Sequence, residues 1–443
     1  MKPSPRLIKI VAALFIASLL IGVTRFYMSE SMKALIANVW MLSILVVLAI
    51  AFFDVVISRK QAVVSCRREH PKSLALGVNS AITLHIYNET QRPLSLIVSE
   101  LVPQALNVTA FPATLNIPPQ QSHSIKYRVH PDQRGDLQIE GTQIFVTSKF
   151  GLWELQHLLP TVSFLKVFPN FMAISNLALL LQGGNSKQLG IHLLQRRGQG
   201  TDFHQLRDYR ESDSQRQVDW SATAKVGKLI SREFQDERDQ QVIFLLDCGR
   251  RMRSKDQELS HFDHALNALL LTAFIALRQG DSVGYHTFAG VERGMKPAKG
   301  HQTINTLINQ LYTLESSLAN SDYLEAANII ISKRYKRSLV VLVSNVREED
   351  EEDLVIAVKL LSRHHLVLVA TLREAVFEET LEQPIHNLMD ALQYAGTVNH
   401  LNGRARIITR LAVEGVTLSD CLPSELPIAL VNQYLALKRS GKF

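Results

Sequence analysis

Two long apolar runs stand near the start of the chain, Leu7 to Val23 and Leu35 to Ile57, and they commit that end to a lipid environment. As a helix the first reaches roughly 25 Å, the lower limit for crossing the hydrocarbon of a bilayer. The second is long enough to span, with Trp40 near one end and Asp54 near the other, where an indole and a carboxylate can each reach the interface. A cleavable leader is the rival reading, but "IGVTRFY" has no small-x-small cleavage site and a second apolar run follows at once. A transmembrane hairpin is therefore expected over residues 1–60. Lys2, Arg6 and Lys9 flank its start and Arg59, Lys60, Arg67, Arg68 and Lys72 follow its end, against Arg25 and Lys33 in the connecting loop. The positive-inside rule then places both termini, and everything after residue 58, on the cytoplasmic side of an inner (cytoplasmic) membrane.

The 443 residues exceed one ordinary core, so two or three domains are expected. With 46% apolar and 20% charged residues the chain is globular in character. The net charge of +7 gathers largely beside the apolar runs, which suits an anionic membrane surface. Elsewhere basic residues are interspersed with acids and no DNA- or RNA-binding motif occurs, so nucleic acid is not expected as a partner. Cys66, Cys248 and Cys421 are far apart and lack CxxC spacing, which argues against a disulfide framework or a zinc site.

Residues 61–168 alternate with period two. "AITLHIYN" places Ile82, Leu84 and Ile86 on one face, and "SIKYRV" sets Ile125, Tyr127 and Val129 against Lys126 and Arg128. Turn residues separate about seven such runs, the pattern of a small β-sandwich of immunoglobulin or fibronectin type. Residues 236–443 follow another grammar. Val242 to Leu246, Leu339 to Val343 and Leu366 to Ala370 are continuous apolar runs, as parallel strands buried on both faces require, and helical patterns lie between them. Ser260 and Asp263 form a capping pair before a helix that Gly280 stops, and the tail "ELPIALVNQYLALKRS" closes the domain as a helix. A doubly wound α/β domain is expected.

Between them lies a connecting segment, 169–235, whose stretch "GQGTDFHQLRDYRESDSQRQVDWSATAK" carries Gly198, Gly200, Phe203, Leu206, Arg207, Tyr209, Asp213, Arg216, Asp219 and Trp220. This arrangement closely resembles the signature of the domain of unknown function 58 family, with Asp202 and Ser212 standing where members usually carry Glu and Gly. The resemblance implies two membrane spans, a β-rich region and a von Willebrand factor A-like domain. It also implies an accessory role in assembly or maturation of client proteins, alongside a MoxR-type AAA+ ATPase and a neighbouring transglutaminase-like membrane protein. Read from the residues alone, Trp220 beside "SATA" suggests a packed segment. Asp219 and the arginines would then form a hydrogen-bonded clasp between the domains, in preference to a ligand site.

In an α/β sheet, functional groups gather at the carboxyl ends of central strands. Asp247 and Asn345 end two of them, and Ser321 with Asp322 opens the helix before the second. For the von Willebrand fold implied by the resemblance, the ion-site pattern is Asp-x-Ser-x-Ser with a distant Thr and Asp; here it becomes Asp247, Gly249 and Arg251, with Ser321 and Asn345 in the remaining places. One acid and one hydroxyl make a weak cage for a hard cation. Asp247 is expected to pair with Arg250 or Arg251 instead, a guanidinium standing in for the ion. No cofactor, bound metal or small-molecule substrate is expected. The reading is an interaction protein without catalysis. A metal-dependent module that recognises an acidic client residue is the alternative, and an enzyme built on Cys248 with His261, His264 and Asp263 ranks third. "REEDEED" at 347–353 is read as the solvated start of a helix.

Overall fold

The computed structural model describes residues 1–24, 30–58, 64–170, 202–210, 213–235, 240–256 and 258–441. It divides into two compact units, Met1–Val167 and Phe168–Phe443.

In the first unit, helices α1 (Pro5–Thr24) and α2 (Glu30–Ser58) are long and apolar enough to cross a membrane. A largely β region follows, built as sheets of five, four and three strands, the five- and four-stranded ones antiparallel throughout. The five-stranded sheet runs through Gly141–Thr147 and Leu94–Leu101, and the four-stranded sheet through Ser80–Asn88 and Ser122–Pro131. Alternate residues of these strands are buried, Ile82, Leu84 and Ile86 from one sheet and Leu96, Val98, Ile144 and Val146 from the other, which is the period-two pattern expressed as a core. Arg68 is not a membrane-surface charge, as its place in the positive-inside count supposed. Its side chain and that of Glu100 are each 1% exposed and ion-paired. Arg68 also donates to Ser163 Oγ at 2.7 Å and to the Thr161 carbonyl at 2.5 Å.

Asp54, near the end of α2, does not face an interface but is buried and answered by the turn Ser148–Leu152. The Ser148 hydroxyl and the amides of Phe150 (2.9 Å) and Leu152 (3.3 Å) donate to its carboxylate. Trp153 Nε1 donates to the Ala51 carbonyl at 3.0 Å, and Ser4, before α1, donates its hydroxyl to the Gly151 carbonyl at 2.6 Å. Leu7, Ala51 and Leu152 pack together with Trp153 beside them, so the turn packs against the start of α1 and the end of α2.

The second unit begins with a two-stranded antiparallel hairpin, Asp202–Asp208 with Ile230–Gln235, bridged by the short helix α3 (Trp220–Val226). After it comes a six-stranded sheet: β1 (Gln241–Asp247), β2 (Ser282–Phe288), β3 (Gly294–Ala298), β4 (Leu339–Ser344), β5 (Leu366–Leu372) and β6 (Thr417–Cys421), in the order β3-β2-β1-β4-β5-β6. All neighbouring pairs are parallel except β2 with β3. Helices cover both faces, as the continuous apolar runs require. Val242, Phe244 and Leu246 pack on one side with α4 (His261–Arg278), α5 (His301–Leu311) and α10 (Leu426–Arg439). Ile243 and Leu245 pack on the other with α6 (Tyr323–Ser332), α7 (Glu351–Ser362) and α9 (Leu388–Val413), the last preceded by the short α8 (Ala375–Glu382). Ser260 and Asp263 cap α4 reciprocally. The order reverses between β1 and β4, and in such sheets the crevice beyond the strand ends at that reversal is where ligands and partners are met.

Candidate functional site

At the reversal, β1 delivers Asp247 and β4 delivers Ser344 side by side, because Leu246 is in register with Val343. Asp247 is 0% exposed. Its carboxylate accepts from the Gly249 amide at 2.7 Å, from the Ser344 hydroxyl at 2.6 Å and from the Ser321 hydroxyl at 2.9 and 2.8 Å. Ser344 is steadied in turn by the Tyr323 hydroxyl, 2.9 Å away. Burial raises the Asp247 carboxyl above its usual range, against the opposing pull of Ser344, Gly249, Ser321 and the charge of Arg251. Burial, with Asp247 next, also pushes the Tyr323 phenol well up.

Gly249 is more than a missing ligand. A Cβ there would lie 2.6 Å from Ser321 Oγ and 3.0 Å from Asp247 Oδ1, so its absence is what lets the serine reach the acid. The expected pairing of Asp247 with Arg250 or Arg251 does not form. The carboxylate is filled by hydroxyl and amide donors, and the Arg251 guanidinium turns to Asp350 and Glu349. Asn345 does not complete the group either. Successive strand residues point to opposite faces, and its amide donates to Glu374 Oε1 at 3.0 Å and lies 3.4 Å from His261 Nδ1. His261 is fully buried, with Nε2 3.2 Å from Asp256; burial lowers its pKa despite that acid.

A cation fits this cradle poorly. Asp247 is its one carboxylate, position 249 has no room for a side chain, and Asn345 is committed elsewhere. Among the described residues no cluster of three His, Cys, Asp or Glu could hold a metal. Cys248 is 1% exposed, with its sulfur 3.9 Å from the Leu246 carbonyl, a buried thiol rather than a presented nucleophile. Outside the cradle is a recess of about 230 Å3 lined by Arg250, Arg251, Asn320, Ser321, Glu349 and Asp350. Arg250 is exposed beside it, and its amide bonds to the Ala319 carbonyl, next to Leu318, which is 76% exposed.

The acidic run is cross-braced, not simply solvated. Glu348 pairs with Arg406 and Glu351 with Arg410, both from α9, while Glu349 and Asp350 hold Arg251. Arg404 of α9 is buried and ties strand ends together, donating to the Val346 and Leu372 carbonyls, Thr371 and Asp420. Sequence reading missed Ser344, Tyr323, Glu374 and Arg404. The "S-N" that follows the β4 run is the only local sign of the first.

In the hairpin, Arg207 grips Asp213 through both guanidinium nitrogens at 2.7 and 2.8 Å, and the Tyr209 hydroxyl donates to the Asp213 carbonyl at 2.9 Å. Asp219 caps α3 through the Ala222 amide at 2.9 Å and accepts from Arg232 Nε at 2.8 Å. This network lies within the hairpin. Trp220 is not packed as expected but 69% exposed, because the capped helix turns it outward at its first position. Arg216 and Leu206 are exposed as well; Phe203 lies on the first strand, in register with Phe234. Gly198 and Gly200 fall outside the described residues.

Residues 205–391 match the model of a family described as "Protein of unknown function DUF58". No curated protein matches the chain. Among solved structures, similarity is found to an aerotolerance-related membrane protein from Bacteroides fragilis, with 20% identity over 30% of this chain and 67% of that one and a TM-score of 0.23. An Escherichia coli alpha-2-macroglobulin spanning domain MG7 to the C-terminus matches with 22% identity over 24% of this chain and a TM-score of 0.20; the chain spans only 16% of that protein's length. A FixG-related protein from Vibrio parahaemolyticus matches with 14% identity over 24% of this chain and 97% of its own, at a TM-score of 0.18.

Proposed function

We propose that the chain, which matches the DUF58 family model over residues 205–391 and has two helices apolar enough to cross a membrane, acts as a tethered adaptor, holding a partner protein at the membrane without catalysis of its own. The single observation that supports this is the state of Asp247: its oxygens are taken up by internal donors, as a latch beneath a binding surface would have them. The order β3-β2-β1-β4-β5-β6 supports a von Willebrand factor A-like domain, and the buried alternation of the β region supports an immunoglobulin- or fibronectin-like sandwich. The charges around the two spans support a cytoplasmic disposition of both.

The surface over the latch offers Leu318 as an exposed apolar contact, Asn320 as an exposed amide and Arg250 as a cation, the last a residue type enriched at interface hot spots. A MoxR-type AAA+ ATPase is the partner we assign to it, with a transglutaminase-like membrane protein as a further member of the assembly. The test is co-purification of the full-length protein with such an ATPase. Leu318→Asp with Arg250→Glu should abolish recovery while leaving the melting temperature unchanged. Undiminished recovery by the double variant would remove this surface from the reading.

A further inference from the structure

We propose that the junction between the membrane helices and the β region binds one anionic phospholipid, its acyl chain lying between α1 and α2. Two cavities adjoin this junction, one lined by Trp153 and the other by Ser148, Lys149 and Gly151 of the turn. The first is an apolar groove of about 460 Å3 between the helices, lined by Leu7, Val11 and Phe15 of α1 and by Trp40, Val47 and Ala51 of α2, with Trp153 at its foot. The turn holds the helices apart there, and a gap between helices in a bilayer is filled by hydrocarbon, since an empty one forfeits its dispersion contacts.

Depth decides what fills it. From Leu7 at the foot to Ser18, the last α1 residue lining it, a helix rises roughly 17 Å, about half the thickness of the hydrocarbon core. That is the reach of an acyl chain in one leaflet and too short for a partner's spanning helix.

The second cavity, about 1080 Å3, lies at the same end of the helices and takes in Ser4, Arg6, Ser58 and Lys149. Arg6, Arg92 and Lys149 bring three cations to it, all exposed, and no ion pair is formed by any of them among the described residues. Its acids are Glu89 and Glu154, and Glu154 is neutralised by Lys2 at 3.1 Å. The recess is therefore net positive, and it lies in the plane where headgroups of the leaflet from which both helices emerge must sit. Phe150, half exposed at the tip of the turn next to Lys149, presents the aromatic-and-basic pair that settles at this depth. A phosphodiester headgroup with its negative charge unbalanced, such as phosphatidylglycerol, satisfies the cations; a zwitterionic one brings a competing ammonium.

The test uses the full-length protein in nanodiscs of equal phosphatidylglycerol and phosphatidylcholine, released into detergent, with retained lipid read by native mass spectrometry. Phosphatidylglycerol should be the retained species. Arg6→Gln and Lys149→Gln should each lower its retention on the order of fivefold, the effect of one basic residue at an anionic membrane surface. Lys149 is exposed on a turn, so its variant leaves the fold intact. Arg128→Gln, an exposed cation elsewhere on the β region, should change nothing, and Val11→Trp, which fills the groove, should lower retention of any lipid. Equal retention of phosphatidylcholine, an Arg128→Gln loss as large as that of Arg6→Gln, or full retention by Val11→Trp would each overturn the proposal.

Discussion

Replacing Asp247 by Ala removes the acceptor shared by the Gly249 amide and the hydroxyls of Ser321 and Ser344. Ser344 keeps Tyr323, so the buried Gly249 amide and the half-buried Ser321 hydroxyl lose their acceptor. Each costs roughly 1–3 kcal/mol, and removal of a carboxylate whose burial already disfavours its charge returns part of that. A net loss of about 3 kcal/mol follows, which is a little over a hundredfold in the local opening equilibrium. Cys248, buried beside Asp247 at the end of β1, reports that opening directly. In the full-length protein, thiol labelling at Cys248, resolved from Cys66 and Cys421 by peptide mass, should accelerate by about that factor in Asp247→Ala. A rate within twofold of the wild type would refute the latch.

The raised Asp247 carboxyl gives a pH signature. Its folded state favours the protonated form, so its contribution to stability falls as pH climbs from the ordinary carboxylate range near 3.8 through the raised value, then levels off. Denaturant melts across this range should show a shallower decline in Asp247→Asn, and identical slopes would contradict the assignment. His261, lowered by burial, has the opposite sign: stability present above about pH 6.5 is lost as pH falls through its folded pKa, and His261→Gln should flatten that limb. In the first unit, Arg68→Ala leaves Glu100 buried without its cation, which should cost about 3–5 kcal/mol by urea unfolding; Arg68→Ala with Glu100→Leu should recover most of it, and a single variant within 1 kcal/mol of wild type, about the scatter of an exposed pair, would show the pair to be solvated.

How much of this could be read from the sequence depended on what each residue answers to. The runs Val242 to Leu246 and Leu339 to Val343 declared parallel strands because burial on both faces leaves no polar position to confuse the pattern. β3 and β6 were illegible: "GMKPA" contains Pro297, tolerated only because the strand lies at the sheet's edge, and "TLSDC" has too few apolar residues for a period to emerge. At the site, Asp247 was legible and its partners were not. Choosing Asn345 followed side-chain polarity, whereas strand register turns Ser344 toward the acid and Asn345 away from it. Gly249 read as a lost ligand, and only the approach of Ser321 shows it to be the clearance the latch needs. The partners of the acidic run, Arg406 and Arg410, stand almost sixty residues on, where no local pattern could announce them.

The role of this surface turns on whether the carboxyl end of the sheet is closed by its own donors or held open for a cation. Calorimetric titration of the full-length protein with magnesium and with manganese, beside Asp247→Ala, measures this directly. Closed by the Ser321, Ser344 and Gly249 bonds, the wild type gives no saturable heat and the two titrations superimpose. Saturable one-to-one binding by the wild type that disappears with Asp247→Ala would contradict the latch and make the surface a metal-dependent recognition site.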